Sequence, residues 1–160
     1  MKQKTLSNWL KLIVIVLAIC GLVICLLILP VIGRNIAAAE NGEFDYAFWP
    51  WLIFLWLFAL PCFAACVIGW RIAVNIGRDR SFCDENAKLI SLIAILAAAD
   101  SAFFFVGNII MLFLNMSHPG IVLASWLCVL IGAAISIGMA CLSHLVRKAA
   151  ALQEESDLTV

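Results

Sequence analysis

Charge is what this chain has least of. Of its 160 residues only 12% are Asp, Glu, Lys or Arg, ten acidic and ten basic. Soluble domains carry about twice that fraction, so this chain cannot cover its own surface in water. It also lacks a basic stripe and any interleaving of aromatic with basic residues, which excludes direct nucleic-acid binding. There is no glycine-rich phosphate loop, no quartet of metal ligands and no nucleophile–base pair. Nothing in the motifs points to catalysis, and the composition excludes soluble catalysis. The chain is expected not to be an enzyme and to carry no cofactor. Proline occurs only four times, which leaves room for long helices.

Cysteine is not scarce, but its placement excludes another class. Cys20, Cys25, Cys62, Cys66, Cys128 and Cys141 all lie inside apolar runs, and only Cys83 lies between them. A secreted disulfide framework needs cysteines in oxidising, water-exposed loops. Cys62 and Cys66 share a helix face but have no His or carboxylate near them in sequence, so packing rather than metal binding is expected.

What the chain has in abundance is apolar sequence. Hydrophobic residues make up 66% of it, and its mean hydropathy is +1.12. The expected fold is all-α: a single polytopic membrane domain with four transmembrane helices, over about 12–31, 49–70, 89–114 and 121–145. The first of these has 22 uncharged residues between Lys11 and Arg34. Twenty of them make about 30 Å of helix, the thickness of a bilayer core, and exceed the apolar core of a signal peptide. A retained span is expected.

The polar loop from Gly33 to Ala47 carries Glu40, Glu43 and Asp45 against Arg34. Tyr46, Trp49 and Trp51 should mark one membrane interface, and Trp70 with Arg71 the opposite one. Pro61, in the middle of the second span, should kink it. Cys62, Ala65, Cys66 and Gly69 form a small-residue stripe suited to close helix packing. Gly77 is expected to stop that helix. A charged segment follows, 71–88 as a whole being read as a cytoplasmic loop. Ser81 and Asp84 resemble a capping box for the next helix, with Cys83 and Asn86 as the competing pair.

From Asp100 to Arg147 there are 46 residues without a charge. As one helix these would run about 69 Å, so the turn-like Asn115–Gly120 stretch must divide them into two spans. A short polar tail, 146–160, should follow and fray. His118 and His144 stand near opposite ends of the fourth span and cannot share a site. The basic residues then set the orientation. Nine of the ten (Lys2, Lys4, Lys11, Arg71, Arg78, Arg80, Lys88, Arg147 and Lys148) fall on one side and only Arg34 on the other. Both termini and the central loop should be cytoplasmic, in a plasma (cell) membrane.

Two constellations could carry function. Asp100 is the one charge inside a span, and no Lys or Arg lies in any span to pair with it. A neutral acid hydrogen-bonded to a neighbouring helix is expected there. Asn108 lies two turns on along the same face, and a fourth-span stripe of Ser125, Gly132, Ser136, Ala140 and Ser143 could receive that face. The candidate intramembrane polar site is Asp100, Asn108 and Ser136. The candidate docking surface is Arg78, Arg80, Asp84 and Glu85 in the central loop.

One family pattern is visible. Ile72, Ile76, Gly77, Phe82, Glu85, Asn86 and Leu89 comprise an amphipathic helix end, a glycine, a phenylalanine and an acid–Asn pair opening the next span. This resembles the bacterial family of domain of unknown function 2975, small four-span membrane proteins. A serine usually follows the phenylalanine in that family, where this chain has Cys83. The resemblance implies no established activity. Members are often encoded beside a small helix-turn-helix regulator, which implies a membrane-tethered regulatory role. The functional expectation is thus a non-enzymatic regulatory or accessory protein acting through its cytoplasmic loop. Its expected partners are the lipid bilayer, a cytoplasmic regulatory protein and further copies of itself. The alternative is a small transporter or channel subunit using Asp100.

Overall fold

The computed structural model describes residues 3–39, 45–117 and 119–158. It is all-helical over these residues. α1 (Gln3–Val23) continues through a π-helical segment, Ile24–Ile28, into α2 (Leu29–Ala39), and together these make the first span. A 3-10 turn, Asp45–Ala47, leads into α3 (Phe48–Gly77). α4 (Asp84–Phe113) and α5 (Pro119–Leu158) complete the chain. Four stretches are long and apolar enough to cross a membrane: Gln3–Ile36, Asp45–Gly77, Asp84–Phe113 and Gly120–Ser156.

The π segment is explained by Pro30. A proline inside a helix donates no N–H and its ring collides with the carbonyl four residues back. Widening one turn relieves that collision, and the Leu29 N–H accordingly reaches back five residues to the Ile24 carbonyl. In that register the Cys25 carbonyl falls to Pro30 and has no backbone donor. No water can supply one in a bilayer, so the Trp56 indole does, with Nε1 donating to Cys25 O at 2.9 Å. Pro61, where a kink was expected, lies inside α3, which is helical on both sides of it.

The turns after α3 and after α4 end their helices in the same way. After α3, the Arg80 N–H donates to Asn75 O and the Asp79 N–H to Ile76 O, with Asp79 left-handed at φ 64. After α4, Met116 donates to Met111 O and Asn115 to Leu112 O, with Asn115 at φ 55. These are Schellman motifs held by Asp and Asn instead of glycine. α3 thus ends at Gly77, where a stop was expected, but Gly77 is its last helical residue and the left-handed position falls to Asp79. A Cβ on Gly77 would lie 2.7 Å from Ser7 Oγ, so its role is to let α1 approach. Ser7 uses that approach to donate to Ala73 O at 2.6 Å.

Of the two cap pairs expected, the structure uses Cys83 with Asn86. The N-cap of α4 is Cys83, whose sulfur accepts from the Asn86 N–H at 3.4 Å. Ser81 instead donates to Gln3 Oε1 at 2.9 Å, because it stands two residues before the cap and cannot reach the first turn. Of the segment 71–88, only residues 78–83 are turn. The tail is helical to Leu158. Forty residues span about 60 Å, so α5 projects well beyond any bilayer. The charges of the first polar loop at Glu40 and Glu43 lie outside the described residues, as do Lys2 and His118.

The helices pack in chain order: the first span on α3, α3 on α4, and α4 on α5. Among the described residues the first span makes no close backbone contact with α4 or α5, nor α3 with α5. The molecule is an open row of helices, not a closed bundle. Its broad faces carry exposed apolar side chains such as Leu26, Leu127 and Leu130, which only lipid or another membrane chain can cover.

The α3–α4 seam is aromatic. Phe54 stacks on Phe104 with centroids 5.6 Å apart and planes 8° from parallel, and Phe58 lies 4.4 Å from Phe104. Gly107 makes room for the Phe54 ring, which a Cβ would strike. The α4–α5 seam uses the small stripe expected of the fourth span. Ser125 donates to Asn108 Oδ1 at 2.8 Å, Ser136 to Ala94 O at 2.8 Å and Ser143 to Ala87 O at 2.7 Å. Gly132 admits Ser101. Ala140 is the exception, being exposed.

Candidate functional site

The charged turn is organised from beneath by Asn86, which is 1% exposed. Its side-chain carbonyl accepts from Asn75 Nδ2 at 2.9 Å. Its amide donates to the carbonyls of Arg80 at 3.1 Å and Ser81 at 3.0 Å. One buried amide thus ties together the end of α3, the turn and the start of α4. The predicted docking residues Arg78, Arg80, Asp84 and Glu85 are all exposed around it, but they differ in role. Glu85 Oε1 lies 3.9 Å from the Arg71 guanidinium, across the hairpin. Asp84 pairs with Lys88 at 2.6 Å and with Arg147 of α5 at 3.8 Å. The hydrogen bond from Lys88 holds the Asp84 carboxyl below the usual range, with Arg147 adding to the effect. Asp84 and Glu85 are thus engaged in internal pairs, while Arg78 and Arg80 are exposed.

The projecting part of α5 turns this surface into a groove. A cavity of about 530 Å³ lies between the turn and α5, with Arg80, Phe82 and Cys83 on one wall and Arg147, Ala151 and Glu154 on the other. Phe82 is 57% exposed, which is unusual for a large apolar ring outside the spans.

At the opposite end, the aromatic residues expected at the interface hold the α4–α5 turn. The Tyr46 hydroxyl donates to Asn115 O at 2.6 Å, and Trp51 Nε1 to Met116 O at 2.7 Å. Arg34 lies over the Phe48 ring at 5.6 Å, and at the other end Lys11 lies over Trp70 at 5.7 Å.

Within the membrane-spanning part, Asp100 and Asn108 are both buried, as the sequence suggested, but they face different helices. Asn108 is fully enclosed, donating to Phe104 O at 2.8 Å and accepting from Ser125 of α5. Asp100 turns to α3, where Oδ2 lies 3.8 Å from Cys62 Sγ. Its Oδ1 is buried with no hydrogen-bond partner. Ser136, on α5, bonds to the α4 backbone at Ala94 and not to Asp100, so each of the three predicted residues meets a different partner. Among the described residues no group of His, Cys, Asp or Glu is arranged to hold a metal ion, and all seven cysteines are free.

Sequence reasoning passed over Ser7, Asn75, Trp56 and Phe54, which tie the helices together. Only Pro30 gave a signal, as a proline within an apolar helix; the others acquire their partners through the tertiary fold.

Compared with known proteins, a family model described as "Protein of unknown function (DUF2975)" matches residues 32–160. No curated protein and no solved structure matches the chain.

Proposed function

We propose, for a chain that belongs to the DUF2975 family, a non-enzymatic regulatory or accessory role in the membrane, exercised through the groove between the charged turn and the projecting end of α5. In this reading the turn, both termini and the groove are cytoplasmic, because nine of the ten basic residues gather on that side and such residues are retained there. The membrane is the cell's plasma membrane. The occupant of the groove is a cytoplasmic regulatory protein.

The observation that carries this reading is that the exposed Phe82 and the exposed Arg80 both line a cavity of about 530 Å³. Charges that served only to anchor a hairpin at the headgroups would need neither an exposed ring nor a helix continued as far as Leu158. An aromatic flanked by arginine is the composition of an interface anchor.

The experiment is affinity capture from detergent-solubilised membranes. Wild type is compared with Arg80→Glu and Phe82→Ser, substitutions that leave the Asn86 network and the Asp84 pairs intact. Loss of a captured protein in both variants supports the reading, and identical partner profiles overturn it. The alternative, a small transporter or channel subunit using Asp100, requires further copies of the chain, since an open row of helices encloses no pore by itself.

A further inference from the structure

Asp100 is the one carboxylate placed at mid-span, about 24 Å along α4 from its first residue. It is only 8% exposed, and one of its oxygens is buried without a partner. The groups around it do not compensate a charge. From α3 it faces the Cys62 thiol, with Cys66 one turn further on. The first span contributes Cys25 near Cys62. From α5 the neighbours of this stretch of α4 are Gly132 and Ser136, which do not titrate. No Lys or Arg lies between Leu12 and Gly33, between Phe48 and Trp70, or between Leu89 and Val146. An ionised carboxylate in that setting would be buried, unpaired and out of reach of water, the most costly state available to it.

The wall opposite Asp100 also carries Pro61, the proline in the interior of α3. Cys62 directly follows Pro61, whose missing N–H deprives the Leu57 carbonyl of its helical donor. A helix that lacks a rung there yields more readily than one that does not.

We propose that Asp100 is an intramembrane proton-binding site, occupied in the packing described here, and that release of its proton parts α3 from α4 at Pro61–Cys62. On release the carboxyl O–H bond breaks, and the proton passes to water admitted between the helices. That water then hydrates the oxygen that has no partner in the closed form. Rebinding expels the water and restores the seam. This inference is independent of the groove at the turn, and its ligand is the proton alone.

The test uses the full chain reconstituted in phosphatidylcholine–phosphatidylglycerol vesicles. Infrared difference spectra are recorded across a pH titration, and hydrogen–deuterium exchange of the α3 amides around Pro61 is followed by mass spectrometry. The expected result is a protonated-carboxyl band present at neutral pH, lost on alkalisation and absent from Asp100→Asn. Over the same interval, exchange around Pro61 should accelerate in wild type beyond the base-catalysed rise seen in Asp100→Asn. Asp100→Glu keeps a carboxyl at the site and must keep a titrating band at a shifted frequency, which places the proton at position 100 and carries the test if Asp100→Asn does not insert. A carboxyl already ionised at neutral pH overturns the proposal. So does a band that persists at all pH values, or an exchange profile that tracks Asp100→Asn throughout.

Discussion

At the scale of the residue, Asn86 shows how one side chain can specify a turn. Its amide and carbonyl are all engaged, and its nearest partner, Asn75, is itself 6% exposed. Asn86→Ala removes those bonds and leaves the Asn75 amide buried and unpaired. The expected cost is about 2–4 kcal/mol in unfolding from mixed micelles, larger than for exposed Arg78→Ala. Cys83 should behave in the opposite sense. Its sulfur is a weak acceptor at an N-cap position, where serine is strongly preferred, so Cys83→Ser should stabilise α4 by about 0.5–1 kcal/mol in the same measurement. Asp84 adds a pH dependence. Its carboxyl is held below its ordinary value by Lys88, so its contribution is present above the unfolded-state value, near 3.9, and is lost as pH falls through the folded-state value. The group is exposed and the effect is small. It should appear as an acid-limb loss of stability that is missing in Asp84→Asn.

At the scale of the element, the seams rest on absent side chains as much as on present ones. Gly107 lies under the Phe54 ring. Gly107→Ala should therefore destabilise the α3–α4 pair by about 1–3 kcal/mol. Phe54→Leu should recover part of that loss, giving a coupling energy in a double-mutant cycle that independent sites would not show. The first span gives a second test. Pro30→Ala restores an N–H and removes the ring clash, so the π segment should relax to α-helix and the Cys25 carbonyl should no longer need Trp56. The Trp56 fluorescence should change in that variant, whereas wild type and Pro61→Ala should share the same Trp56 environment. Helix existence and rough extent were legible from hydropathy, down to the continuation of α3 past Trp70. The ends were legible only in part. Gly77 looked like a stop because glycine is the usual left-handed residue, but here Asp79 takes that conformation and Gly77 serves a contact with Ser7 that lies 70 residues away in sequence.

At the scale of the whole molecule, the open row has consequences for topology and assembly. If the orientation proposed from the basic residues holds, a membrane-impermeant maleimide should label Cys83 only from the cytoplasmic side. Cys20, Cys62 and Cys141, on helix surfaces within the spans, should react only with a lipid-soluble reagent. Labelling of Cys83 from outside would reverse the orientation. The fourfold apolar pattern, the polar turn and the buried character of Asp100 and Asn108 could be read from the chain alone. Each depends on local composition measured against a fixed bilayer thickness. The arrangement of the spans could not. In lipid, a helix face turned to a neighbour and one turned to an acyl chain are equally apolar, so hydropathy carries no record of which is which. Only the tertiary structure decided that Asp100 looks to Cys62 while Asn108 looks to Ser125, that Trp56 serves a carbonyl freed by Pro30, and that the helices stand in a row. Those choices depend on close packing and on satisfying individual backbone groups, which bring together residues far apart in the chain.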